Sequence, residues 1–123
     1  MSRGIIVVMD DSEIVLGAAK ATLERLGYQV RPAANLEQLE RALQGVRPAL
    51  FVLDVQMPEM FGDDVAQVLR EIRQMNVPIV LFSDIDEAAL AERGREAGVE
   101  AWIPKRAGLP ALVAQVEALL GPR

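Results

Sequence analysis

Five short apolar runs separated by helical patterns constrain this chain more than any other feature. They are Ile5–Met9, Tyr28–Arg31, Leu50–Leu53, Ile79–Phe82 and Val99–Ile103. Runs such as Ile5–Met9 and Leu50–Leu53 are apolar on both faces, which a strand needs when helices cover both sides of a parallel sheet. The intervening segments supply those helices. Glu13–Leu26 places Val15, Ala18, Ala19, Thr22, Leu23 and Leu26 on one stripe, with Gly27 at its end. Leu36–Gln44 has Asn35 as N-cap, turns Leu36, Leu39 and Leu43 inward and stops at Gly45. Asp64–Arg73 carries Val65, Val68, Leu69 and Ile72 at helical spacing. Glu87–Ala97 is the weakest helix, with Leu90 its one large anchor and Gly94 an interruption. Pro110–Leu120 has Pro at its first position and Leu112, Val116 and Leu119 inward. Five such units with right-handed crossovers give a doubly wound α/β domain: a five-stranded parallel sheet with five helices.

Ligands of such sheets sit beyond the carboxyl ends of the strands. Those ends carry Asp10 and Asp11 after the first strand, Asp54 after the third, Ser83 and Asp84 after the fourth, and Lys105 after the fifth. If the first and third strands are neighbours, three carboxylates converge at one edge. Like charges so close are unfavourable unless a divalent cation lies between them. The chain has no cysteine and no histidine, so disulfides, thiolate catalysis, Ser-His-Asp triads and His- or Cys-ligated metals are excluded. What remains suits a hard, oxygen-seeking ion. A net charge of −5 without a basic stripe argues against direct nucleic-acid binding. No apolar run approaches membrane-spanning length, and Met1–Gly4 leads straight into a strand without a signal peptide, so a cytoplasmic location is expected.

Taken singly, each residue has an ordinary explanation. Asp10 or Asp11 could cap the first helix, and Ser83 the helix after it. Lys105 could be a solvated lysine, and Gly62 could serve a backbone geometry that other residues dislike. Together, Asp10-Asp11, the Asp54-x-x-Met57-Pro58-x-x-x-Gly62 signature, Ser83 and Lys105 resemble the receiver domain of two-component response regulators, of the chemotaxis-regulator-like kind. The resemblance covers the whole chain and implies the flavodoxin-like strand order 2-1-3-4-5, which the same general rule illustrates with a member of this family.

The resemblance implies a phosphoprotein in which Asp54 accepts a phosphoryl group from a phosphohistidine on a sensor histidine kinase or phosphotransfer protein. Asp11 and Asp54 would ligate Mg²⁺ (or Mn²⁺) with the backbone carbonyl of Gln56, and Asp10 would act through a coordinated water. Lys105 and Ser83 would contact phosphoryl oxygens. Ser83 and Trp102 would form the switch, and the surface of the fourth helix, fifth strand and last helix would meet an unknown target or a second copy on activation. One receiver domain over residues 1–123 is expected, with no output domain beyond Gly121-Pro122-Arg123.

Four residues depart from the family pattern. Asp84 stands where Ala or Gly is usual; it either modulates the phosphorylated state or caps the next helix. Trp102 replaces Tyr or Phe, and its bulk puts the inward-turning switch in question. Arg106 replaces Pro, and a cis peptide to a non-proline residue costs about 3 kcal/mol, so Lys105–Arg106 is expected trans. Phe61 replaces an acid before Gly62 and could mark a contact surface. The alternatives weighed are a pseudo-receiver acting as a phosphorylation-independent interaction domain, and a phosphohydrolase with an aspartyl-phosphate intermediate. The phosphohydrolase fits poorly, because Asp10 and Asp11 are adjacent and no lid is evident. The chain is therefore read as a signalling domain rather than an enzyme, its chemistry limited to its own phosphorylation and dephosphorylation.

Overall fold

The computed structural model describes residues 2–121, so Met1, Pro122 and Arg123 and the readings placed on them lie outside the described residues. Strands β1 (Ile5–Met9), β2 (Gln29–Ala33), β3 (Leu50–Leu53), β4 (Ile79–Ser83) and β5 (Ala101–Pro104) form one parallel sheet in the order 2-1-3-4-5. Helices α1 (Glu13–Arg25) and α5 (Gly108–Leu120) cover one face; α2 (Leu36–Leu43), α3 (Gly62–Gln67) and α4 (Glu87–Ala97) cover the other. Strand side chains alternate between two cores. Ile6, Val8, Leu50, Val52, Val80 and Phe82 meet Leu16, Leu23, Leu112 and Val116. Val7, Met9, Phe51, Leu53, Ile79 and Leu81 meet Leu39, Leu69 and Leu90.

Several boundaries differ from the sequence expectation for identifiable reasons. β2 continues through Pro32, which a sheet tolerates because β2 is an edge strand. β5 starts later, at Ala101, after Gly98 in the left-handed conformation ends α4. The last helix starts at Gly108, behind a 3-10 turn at Lys105–Ala107, so Pro110 is its third residue, still among the positions whose N–H lacks an intrahelical partner. On α1 the buried residues are Leu16, Ala19 and Leu23; Ala18 is exposed.

The third helix departs most. It turns π-helical over Val68–Ile72, with the Arg73 amide donating to the Val68 carbonyl at 3.0 Å. That i→i+5 bond rotates later residues out of the 3.6-residue stripe. Val65, Ala66 and Leu69 are buried, but Val68 is 38% and Ile72 74% exposed, contrary to their expected inward placement. No helix among the described residues is long and apolar enough to cross a membrane.

Candidate functional site

Strand register builds the site. Met9 pairs with Leu53, so the next residues, Asp10 and Asp54, emerge side by side at the carboxyl edge. The Asp10 amide donates to the Ala33 carbonyl and the Asp54 amide to the Met9 carbonyl, which carries the ladder up to the site. Ser83 pairs with Pro104, which places Ser83 beside the residue preceding Lys105.

One carboxylate oxygen from each of Asp10, Asp11 and Asp54 lies within 4.8 Å of the others. Asp10 and Asp54 are buried, at 2% and 5% exposed, whereas Asp11 is open to solvent. The Lys105 ammonium lies between the two buried acids, 2.8 Å from Asp10 Oδ2 and 3.1 Å from Asp54 Oδ2. The exposed residue Gln56 donates its backbone N–H to Asp54 Oδ1 at 3.3 Å. Neither Asp10 nor Asp11 caps α1. Ser12 does, accepting from the Val15 amide, while Asp10 Oδ1 accepts the Ser12 N–H at 2.9 Å.

These contacts set the charge states. Burial raises the Asp10 pKa above its ordinary value and Asp54 adds repulsion, so the Lys105 and Ser12 hydrogen bonds only partly restore the charged form. Burial alone would lower the Lys105 pKa, but hydrogen bonds to Asp10 and Asp54 outweigh it and the net shift is upward. The two directions describe one arrangement: a lysine favoured as a cation by its acid partners, beside an Asp10 whose charge is opposed by burial. A divalent cation fits this donor set, because the cluster is all oxygen, acidic and open on the Asp11 side.

The other sequence candidates are placed as follows. Ser83 is fully buried and its Oγ accepts from the Ile85 amide at 3.5 Å, leaving the hydroxyl proton free to donate elsewhere. Neither Ser83 nor Asp84 caps α4; Asp86 does, accepting from the Ala88 and Ala89 amides. Asp84 is exposed. Trp102 is half-buried on the α4 side of the sheet. The Lys105–Arg106 peptide is trans, as is every peptide among the described residues, and Arg106 pairs with Glu87 at 2.7 Å.

Three features escaped the sequence reading. The Lys105–Asp10 pair is closer than the expected pair with Asp54. Gly62 is not in a left-handed conformation; a side chain there would lie 2.7 Å from the Asp54 carbonyl carbon and closer still to its oxygen. Gly62 thus permits α3 to start against the backbone of Asp54, where its amide donates to the Val55 carbonyl. Finally, Arg93 of α4 holds Asp63 of α3 with 3.1 and 3.2 Å contacts and lies 4.7 Å over the Phe61 ring. Charge at Arg93 and Asp63 is plain in the sequence, but which pair meets depends on how two helices pack.

A doubly wound sheet in the order 2-1-3-4-5, carrying an acidic triad and a lysine at its carboxyl edge, defines the receiver class of signalling domain. Residues 6–117 match the family described as response regulator receiver domain, and the chain belongs to it. It is 32% identical over 115 residues to the alkaline phosphatase synthesis transcriptional regulatory protein PhoP of Bacillus subtilis, covering 94% of this chain and 48% of PhoP. The chain therefore spans about half the length of that relative. It is 27% identical to the polar-differentiation response regulator DivK of Brucella ovis, covering 98% of both chains. Among solved structures, the signal receiver domain of a signal transduction histidine kinase from Syntrophus aciditrophicus is 30% identical with a TM-score of 0.83, covering 95% of this chain and 89% of that one. The chemotaxis protein CheY4 of Vibrio cholerae shares the fold, with a TM-score of 0.84 at 23% identity over 94% of this chain and 98% of that one.

Proposed function

We propose that this chain is a phosphoacceptor switch in which Asp54 takes a phosphoryl group from a phosphohistidine on a histidine kinase or phosphotransfer protein. The observation that carries this reading is the Lys105 ammonium bound to Asp54 Oδ2 within the Asp10–Asp11–Asp54 cluster. An Asp54 oxygen attacks phosphorus, the phosphorus–nitrogen bond of the donor breaks, and the partner's imidazole leaves. The histidine belongs to the partner, since this chain has none. The Gln56 amide on Oδ1 and Lys105 on Oδ2 hold the nucleophile in one orientation. The Ser83 hydroxyl and Lys105 receive the phosphoryl oxygens; both interact more strongly with the charged product than with the resting site, and that difference drives the switch.

Charge gives the reason a metal ion would be needed. Three carboxylates and one lysine leave the resting pocket with two net negative charges, and phosphorylation exchanges the single charge of Asp54 for nearly two. Asp11, Asp54 and the Gln56 carbonyl would hold Mg²⁺ (or Mn²⁺), with Asp10 acting through water, and the ion would supply positive charge to offset that build-up. In this reading residues 1–123 act as a cytoplasmic receiver unit whose output is contact through α4, β5 and α5, including pairing with a second copy. Nothing in the pocket favours the phosphorylation-independent alternative, because every acid and the lysine are in place.

Intact-mass analysis after acetyl phosphate with Mg²⁺ tests the proposal. The parent is expected to gain one phosphoryl group and Asp54→Asn none. A parent that binds Mg²⁺ yet gains no mass refutes it.

A further inference from the structure

Consecutive residues of α4 make two contacts that run in different directions. Arg93 reaches α3, gripping Asp63 through both carboxylate oxygens and covering the exposed ring of Phe61. Phe61 ends the loop that begins at Asp54 and carries Gln56, and Asp63 is the second residue of α3 just beyond it. Gly94 faces β5, where the Trp102 ring packs close against it. A side chain at Gly94 would come within 2.8 Å of the indole Cδ2 and closer still to Cε3. Gly94 is helical, so it is present for space and not for an unusual backbone angle. Glycine is the poorest helix former after proline, which makes an unneeded glycine in mid-helix unfavourable. The Arg95 guanidinium also lies over the ring, 5.9 Å from the centroid. One turn before Gly94, the fully buried Leu90 fixes α4 on the sheet.

We propose that α4 is a lever joining the pocket loop to the indole, with Arg93 as the positioning residue through which a change at the Asp54 cluster reaches Trp102. The grip on Phe61 and Asp63 makes the loop and α4 move together, and the Gly94 notch makes Trp102 follow α4. Its metal arm rests on the phosphoacceptor reading; its mechanical arm does not. The proposal also accounts for Phe61, the aromatic in place of the family's usual acid, as the flat surface on which Arg93 stacks.

Trp102 is the only tryptophan, so its emission reports on the notch. Mg²⁺ is titrated into the parent, Arg93→Ala and Arg93→Lys, with calorimetry measuring binding in parallel. The parent's emission is expected to follow calorimetric occupancy. Arg93→Ala should bind the ion as the parent does but lose the emission change, and Arg93→Lys, which keeps the positive charge facing Asp63 but lacks the planar guanidinium stacked on Phe61, should show it reduced. Arg93→Ala with a full emission response, or a parent whose emission is silent while it binds the ion, overturns the lever.

A second arm needs no ion. Releasing the grip should raise acrylamide quenching of Trp102 in Arg93→Ala and, more mildly, in Asp63→Asn, which keeps the proposal testable if the alanine variant folds poorly. Unchanged quenching in a folded variant overturns the lever. If calorimetry finds no Mg²⁺ binding in the parent, the metal reading is what fails, and the quenching arm still decides the lever.

Discussion

Replacing Gly62 with alanine sets helix propensity against steric fit. Alanine is favoured over glycine in a helix interior by about 1 kcal/mol, and by less at the first helical residue. Against this, the new methyl would meet the Asp54 carbonyl carbon at 2.7 Å and the Val55 Cα at 3.3 Å. These are backbone atoms at the end of β3, which cannot swing aside as a side chain could. Overpacking costs about 1–3 kcal/mol, and the upper part of that range applies where only backbone can yield. The net expectation is a loss of about 2 kcal/mol, equivalent to a fall in Tm of roughly 6–10 °C for a domain of this size. Urea unfolding followed by Trp102 emission measures it, with an unchanged m-value showing that the loss lies in the native state. Gly17 is the internal control, being mid-helix in α1, exposed, and without any atom within 4 Å of an added side chain. Gly17→Ala should therefore gain about 0.5–1 kcal/mol. If Gly62→Ala also gains stability, close approach to Asp54 is not why this glycine is needed.

Three further outcomes are expected. Lys105→Ala leaves Asp10 and Asp54 facing each other without a cation; at neutral pH it should lower stability by about 2–3 kcal/mol in urea melts without divalent ions, below the full cost of breaking a buried pair because Asp10 can take up a proton. Burial opposes the charge on Glu100, but Arg70 and the Ile79 amide outweigh it and lower its pKa below the ordinary 4.5, so its stabilisation is present above 4.5 and disappears as pH falls through the lowered value. The stability gap between parent and Glu100→Gln should accordingly be widest at neutral pH and close in acid, and a gap independent of pH would exclude the charge as its source. Leu69→Ala should cost about 3 kcal/mol, while Ile72→Ala should stay within about 0.5 kcal/mol. Equal losses at the two positions, measured by thermal melts, would contradict the π-helical turn.

The parallel sheet and the strand ends that carry the pocket residues were legible in one-dimensional signals, while the strand order came from the resemblance to receiver domains. Strands apolar on both faces force a covered parallel sheet, and chemistry then collects where those strands end. Asp10, Asp54, Ser83 and Lys105 each follow an apolar run directly or by one residue, so their convergence needed only the strand order. What the sequence left hidden depended on helix rotation or close approach. Ile72 sits at helical spacing from Val65 and Leu69, and only the π-helical turn carries it outward. Gly94 reads as a helix interruption until the indole of Trp102 is seen resting on it. Asp86 outcompetes Ser83 and Asp84 as cap because the chain turns through Ile85 before helical geometry begins, which residue type alone does not reveal.

The two edges of the sheet divide the work of the domain. At the amino edge, Arg70 on the π-helical turn donates to the Gly98 carbonyl at 2.8 Å, the Val77 carbonyl at 2.7 Å and Glu100 at 2.9 Å, while Glu100 accepts the Ile79 amide. That network ties α3 to the approaches of β4 and β5, and its acid is held in the charged form. At the carboxyl edge the balance is reversed: Asp10 is pushed toward its neutral form by burial despite its lysine partner. An edge where burial opposes the charge of an acid is where a cation has the most interaction free energy to gain, whereas an edge whose acid is already held in its charged form has less to respond with. The π-helical turn therefore has a function-related consequence far from the pocket. By aiming Arg70 at the amino edge, it anchors the approaches of β4 and β5 at the ends opposite the acidic cluster.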